Sequence, residues 1–87
     1  MTKNFILNYS PNLSDKFMRE IGKQTTLSWC HVWPGIMLIN SNWTTQQLSD
    51  FIHLAIPDAF FMVAETSVYQ MQGWMTKDIW DFVSKKY

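Results

Sequence analysis

The chain has 87 residues, of which 47% are hydrophobic and 16% aromatic. A chain of this length forms one domain, residues 1–87, and its apolar content is too high for a disordered tail. Seven basic and seven acidic residues give a formal net charge of zero, which argues against broad electrostatic capture of nucleic acid.

The composition and the first residues indicate a cytoplasmic protein. In MTKNFILNYSPN the apolar run is too short for the core of a signal peptide. No stretch reaches the ~18 apolar residues of a membrane-spanning helix. The single cysteine cannot form an intramolecular disulfide and suits a reducing compartment. We therefore expect no membrane partner.

A strand and a helix are predicted first. Residues 5–9 favour β-structure and stop at the turn residues Ser10-Pro11-Asn12. From residue 13 onward the apolar residues recur every four positions, at Leu13, Phe17 and Ile21. This period predicts an amphipathic helix that ends near Gly22.

Residues 27–40, LSWCHVWPGIMLIN, are predicted to be two strands that meet at Pro34-Gly35. With these two residues at the corner, the pairs would be Trp33 with Ile36, Val32 with Met37, His31 with Leu38, and Cys30 with Ile39. Alternation then places one set under the helices, namely Cys30, Val32, Met37 and Ile39. The other face would carry Trp29, His31, Trp33, Ile36 and Leu38. A slip of one residue in the register would exchange the two faces.

The second half of the chain predicts a helix and then a strand. Thr44 and Gln47 fit a capping box at the start of a helix over residues 42–55. Its apolar stripe comprises Leu48, Phe51, Ile52 and Ala55. Residues 59–65 are almost continuously apolar, which predicts a strand that is central in the sheet or buried on both faces.

An arm or loop over residues 67–73 and a last helix over about 76–86 complete the chain. Thr76 would cap this helix, while Asp78 and Lys85-Lys86 suit the two ends of the helix dipole. Its inner stripe would be Ile79, Phe82 and Val83. The whole order predicts an α+β fold, a ferredoxin-like βαββαβ sandwich with an additional C-terminal helix.

Three stretches, FILNYSPN, WTTQQLSDFIHLAI and AFFMVAET, resemble small ferredoxin-like proteins of the CRISPR-adaptation endoribonuclease-like superfamily. This group includes VapD-type and GhoS-type toxin–antitoxin proteins. The resemblance implies a dimer that forms through the sheet edge and the C-terminal segment. It also implies, as an alternative function, a metal-dependent endoribonuclease whose Asp ends the first strand. Here that region reads Leu7-Asn8-Tyr9-Ser10, and an Asn amide lacks the charge that holds a divalent metal.

Catalytic residues are sparse in this sequence. Cys30 and His31 are neighbours on a strand, so their side chains point to opposite faces and cannot form a dyad. His53 lies off the apolar stripe of its helix, and Asp78 and Asp81 fit a solvated helix face. One Cys and two His cannot provide a zinc site. We expect no metal and no cofactor, and the residues favour a non-catalytic protein over an enzyme.

The aromatic residues carry the strongest functional signal. The candidate binding residues are Trp29, His31, Trp33, Ile36, Leu38 and Trp74. The C-terminal segment could cover this face, through Trp74, Ile79 or Phe82. The face could instead bind a second copy or another protein, since Trp is a typical anchor. Stacking of single-stranded RNA is disfavoured by the neutral charge. We expect a small protein-binding module of inhibitor, antitoxin or adaptor type that acts as a homodimer.

Overall fold

The structure, a computed structural model, describes residues 2–67 and 77–85, with side chains up to residue 82. Its strands are β1 (Lys3–Tyr9), β2 (Ser28–Trp33), β3 (Ile36–Ser41) and β4 (Phe61–Thr66). Its α-helices are α1 (Ser14–Gly22), α2 (Thr45–Ala55) and α3 (Lys77–Lys85), with a 3-10 turn at Pro11–Leu13. The strands form one antiparallel sheet in the order β2-β3-β1-β4. The predicted α+β, ferredoxin-like arrangement with a C-terminal helix is confirmed.

The main core lies between the sheet and the helices α1 and α2. Alternation along β1 turns Phe5, Leu7 and Tyr9 into this core. The helices contribute Phe17 and Ile21 from α1 and Leu48 and Ile52 from α2. The rings of Tyr9 and Phe17 stack with centroids 4.2 Å apart. Full burial of each such side chain contributes about 1.5–3 kcal/mol to folding.

The predicted capping box of helix α2 is confirmed, although the helix begins at Thr45 and not at residue 42. The Thr44 hydroxyl accepts a hydrogen bond from the Gln47 backbone N–H at 3.1 Å, and the Gln47 side chain accepts one from the Thr44 backbone N–H at 2.9 Å. This reciprocal pair satisfies two N–H groups that the helix itself leaves without partners.

Helix α3 packs on the opposite face of the sheet. Ile79 and Leu38 form a second buried cluster, joined by Ile6, Cys30, Val32, Trp80 and Phe82. The predicted inner positions Ile79 and Phe82 are therefore confirmed. The Val83 side chain, the cap Thr76, the predicted arm beyond residue 67 and Lys86 lie outside the described residues. The domain has three layers: α1 with α2, the sheet, and α3.

The predicted register of the hairpin is wrong by one residue along most of β2. Cys30 opposes Leu38 and His31 opposes Met37, whereas Trp33 still opposes Ile36. A β-bulge between His31 and Trp33 inserts the extra residue. A Pro-Gly corner favours a type II turn, whose twist does not match a two-residue hairpin, and the bulge absorbs this mismatch.

The predicted central position of the fourth strand is also wrong. β4 lies at the edge of the sheet and pairs with β1. Phe61 and Val63 pack against the main core, whereas Met62 between them is largely exposed. The run is apolar on both faces of the strand. Phe61 and Val63 fill the core, whereas Met62 stays at the surface.

Gly35 provides a test of the hairpin corner. Its φ is +93°, and an added Cβ would lie 3.0 Å from the Tyr9 carbonyl oxygen. We expect Gly35→Ala to lower the free energy of unfolding by about 1–2 kcal/mol or more, as measured by urea denaturation. Gly22→Ala is the matched control, because its Cβ would be 3.6 Å from the Trp29 ring and α1 favours Ala there. Equal effects of the two substitutions would contradict this account of the corner.

Candidate binding surface

The observed pairing divides the predicted binding residues between the two faces of the sheet. Trp29 opposes Ile39 and His31 opposes Met37, and residues directly opposite each other share a face. Trp29 and His31 therefore lie on the side of α1 and α2, and Trp29 packs against the main core. The expectation that both lie on the same face as Leu38 is wrong, because the bulge shifts β2.

The other predicted binding residues that the structure describes lie on the α3 side, namely Trp33, Ile36 and Leu38. Trp33 opposes Ile36, and alternation along β3 places Ile36 on the same face as Leu38. Cys30 and Val32 also lie here, packed against the cluster of Leu38 and Ile79, although the sequence predicted them under α1 and α2. Helix α3 buries Leu38, as in the alternative in which the C-terminal segment folds back. Trp74 lies outside the described residues.

One row of side chains crosses all four strands at the hairpin end of the α3 side. Trp33 opposes Ile36, Ile36 opposes Asn8, and Asn8 opposes Met62. We call Trp33, Ile36, Asn8 and Met62 the hairpin-end row. Trp33 is 50% exposed and Met62 67% exposed, and Asn8 is also exposed. This row keeps large apolar side chains at the surface.

The two neighbouring rows on the same side have other roles. Cys30, Leu38 and Ile6 lie under or beside α3, and the row ends at the exposed Ala64. In the far row the buried Asn40 amide donates a hydrogen bond of 3.1 Å to the Asn4 side-chain oxygen. Helix α3 covers the centre of this face, which leaves no room there for the stacked RNA base of the RNA-binding alternative. Among the described residues of these three rows, the large exposed apolar side chains, Trp33 and Met62, thus lie at the hairpin end.

A polar cleft of about 570 Å³ lies at the end of the sheet away from the hairpin. Hydroxyls and amides dominate its lining, which comprises Thr2, Thr26, Ser28, Asn40, Ser41, Asn42 and Trp43. The Ser41 hydroxyl accepts a hydrogen bond from the Trp43 backbone N–H at 3.0 Å. This bond fixes the wall of the cleft, so Ser41 serves the local turn.

Titratable residues are dispersed. The residues that the structure describes contain no group of three or more His, Cys, Asp or Glu that could hold a metal ion. Asn8 lies in the hairpin-end row, whereas Asp15 lies in the first turn of α1, which packs on the opposite side of the sheet. His31 Nε2 and the Tyr9 hydroxyl are buried without a hydrogen-bond partner among the described residues. Both residues lie on the α1 and α2 side of the sheet, on the face opposite the exposed row.

No family model matches the sequence, and neither the curated proteins nor the solved structures contain a significant match. In the described part of the chain, no helix is long and apolar enough to cross a bilayer.

Sequence reasoning missed Met62 and Phe60, which are 67% and 93% exposed. Both belong to the run that was interpreted as a buried strand. The polar end of β4, at Glu65 and Thr66, is the one signal that indicates an edge position. The resemblance points to Asn8 only as the position of a catalytic Asp, whereas in the structure Asn8 lies between the half-buried Ile36 and the exposed Met62.

The Cys30 thiol yields a prediction about pH. Burial raises the pKa of the Cys30 thiol above its ordinary value, and the negative charge of Asp78 raises it further. A raised pKa keeps the thiol protonated, and the thiolate is the nucleophile. In Asp78→Asn we expect the midpoint of the alkylation rate against pH to move to lower pH. The matched control Asp81→Asn, from the same helix, should leave that midpoint in place. A midpoint that does not differ between these variants would contradict the role of Asp78.

Proposed function

We propose that this chain is a small, non-catalytic protein-binding module of inhibitor, antitoxin or adaptor type, and that it acts in the cytoplasm through the hairpin-end row. The observation that supports the proposal most directly is the joint exposure of Trp33 and Met62, at 50% and 67%, in one row. Large apolar side chains that share an exposed row are typical of interaction surfaces.

The two exposed side chains suit binding in different ways. Trp33 offers a wide, rigid ring at low cost in conformational entropy, and Trp is among the commonest anchors of interfaces. Met62 has a flexible thioether side chain that adapts its shape to a partner. Between them Asn8 offers an amide donor and acceptor, which can hydrogen-bond to the bound protein and so fix its orientation on the row.

A homodimer is the form in which we expect the module to act. Two copies can place the same row against itself across a two-fold axis, which is the commonest symmetry of small oligomers. The formal net charge of zero leaves no long-range repulsion between copies. Such an arrangement would bury Trp33 and Met62 without any change to the fold.

Trp33→Ala tests the hairpin-end row. We expect this substitution to weaken association by about 2 kcal/mol or more, which is roughly 30-fold in Kd. Analytical ultracentrifugation measures the effect on the dimer, and affinity purification with mass spectrometry measures it on a foreign partner. Circular dichroism should show an unchanged fold, because the Trp33 side chain is half exposed.

Leu54→Ala is the matched control for that experiment. Leu54 is 80% exposed on α2, on the other side of the sheet, so its truncation should leave association unchanged. If Trp33→Ala retained both the oligomeric mass and the partner affinity of the original chain, the row would have no role in binding.

RNA distinguishes the proposed function from the endoribonuclease that the resemblance implies. We expect the purified protein to leave RNA intact with magnesium or manganese, because Asn8 supplies no negative charge for a metal. Gel electrophoresis of a structured and an unstructured RNA, with and without EDTA, is the measurement. Cleavage that EDTA abolishes and that Asn8→Ala or Asp15→Ala removes would establish the nuclease instead.

A further inference from the structure

We infer that the outer edge of β4 accepts an extended segment of a different protein as a fifth strand of the sheet. The segment carries apolar residues opposite the start of β4 and a basic residue opposite Glu65. This inference rests on the proposed function in one respect, namely that the chain works by binding protein. It concerns the strand edge, whereas the hairpin-end row belongs to the face of the sheet.

In the part of the chain that the structure describes, the outer backbone edge of β4 has no strand beside it. Within residues 2–67 and 77–85, β1 is the one strand that pairs with β4. The register with β1 runs without interruption from Phe61 to Thr66. In an antiparallel strand every second residue directs its N–H and C=O away from the existing neighbour. The outer edge of β4 therefore presents a regular line of donors and acceptors.

The two edge strands of this sheet differ in how well they are protected against pairing with a further strand. At the β2 edge, the bulge between His31 and Trp33 interrupts the ladder, and bulges are a common device against unwanted pairing. β4 reads FMVAET and contains no Pro, no Lys and no bulge. Phe60, 93% exposed, stands at its entrance, and Met62 follows. An edge with these properties is a template for strand addition.

The residues along β4 indicate the chemistry of the added strand. Its start is apolar, with Phe60 and Met62 exposed, and its end carries the exposed carboxylate Glu65. Cross-strand pairs are favourable when apolar residues meet each other and when opposite charges meet. A complementary strand therefore places aliphatic or aromatic side chains beside Phe60 and Met62 and a Lys or Arg beside Glu65.

A second copy of β4 fits this edge less well. Two copies in an antiparallel pair share faces only in registers centred on a residue. Centring on Val63 places Glu65 opposite Phe61, and centring on Ala64 places Glu65 opposite Val63. In both registers the apolar start of one strand meets the polar end of the other, and neither carboxylate gains a cation. The charge pattern thus favours a different protein at the edge.

Selection from a display library of random short peptides, with the full chain as bait, tests the inference. We expect the enriched peptides to combine apolar residues with a basic residue. In amide NMR spectra of the labelled chain, their binding should shift β4 signals most. Met62→Lys should abolish binding, because a lysine at an edge strand blocks pairing. Met62 also belongs to the hairpin-end row, so the comparison at Glu65, which lies outside that row, assigns the loss to the edge.

Charge reversal provides the sharper comparison. Glu65→Lys should weaken binding of the basic peptides by about tenfold and shift selection toward acidic peptides. Asp15→Lys, which makes the same change at an exposed position of α1, should do neither. Failure to enrich any peptide, equal binding by Glu65→Lys and Asp15→Lys, or shifts confined to the hairpin-end row or the polar cleft would overturn the inference. A chain that binds no peptide and only dimerises through β4, with dimerisation lost in Met62→Lys but kept in Trp33→Ala, would overturn it as well.

Trp33→Ala separates this inference from the proposed function of the row. If Trp33→Ala leaves association unchanged while Glu65→Lys reverses the peptide preference, then the row fails and the edge stands. The opposite pair of results removes the edge and keeps the row.

Discussion

The antiparallel pairing of β1 with β3 is the constraint on which the rest of this structure depends. Six consecutive residue pairs join the two central strands, from Lys3 with Ser41 to Asn8 with Ile36. Because both strands alternate in phase, Phe5 and Ile39 enter the main core together while Ile6 and Leu38 face α3 together. A shift of one residue in this pairing would place apolar side chains of one strand opposite the wrong layer on both sides of the sheet. The two cores therefore fix the register jointly.

The hairpin corner determines the register in which the edge strand β2 pairs with β3. Gly35 is held by a hydrogen bond from the Tyr9 N–H to its carbonyl oxygen, at 3.0 Å, and by one from its own N–H to the Ser14 hydroxyl, at 3.2 Å. The corner is thus tied to the end of β1 and to the start of α1. These bonds hold the corner in place, and the register shift that follows from the twist of a Pro-Gly turn occurs in β2, as a bulge beside Val32. That bulge sends Trp29 into the main core and Cys30 toward α3.

Much of the fold could be predicted from the sequence, because periodicity and capping are local signals. The apolar period of α1 and the capping box at Thr44 and Gln47 each depend on residues within a few positions of one another. The alternation along β3 was also predicted, so Met37 and Ile39 were placed in the main core. What the sequence could not predict was the bulge, since it depends on a corner that tertiary hydrogen bonds hold in place. The division of Trp29 and Cys30 between the faces failed for that reason.

The candidate site was less predictable than the fold for a related reason. Leu38 was expected at the binding surface, and α3 buries it, because an apolar residue on a strand carries no mark of what will cover it. Met62 was expected inside and lies outside, because a run of apolar residues does not show which strand of a sheet becomes the edge. Trp33 was placed correctly opposite Ile36, because these two residues flank the corner and pair with each other with or without the bulge. The positions of these side chains were predicted correctly where a turn set the geometry and wrongly where a distant element did.

The edge position of β4 also explains why Met62 is exposed, at the opposite edge of the sheet from Trp33. Helices α1 and α2 cover one side of the sheet, and α3 covers Leu38 and Ile6 on the other. Beyond α3 the hairpin-end row runs from Trp33 to Met62, which stands on the outermost strand. Met62 thus belongs both to an exposed face and to an open edge. Backbone pairing at β4 and apolar contact with the row therefore meet at one residue, Met62, whereas Trp33 belongs to the row alone and Glu65 to the edge alone.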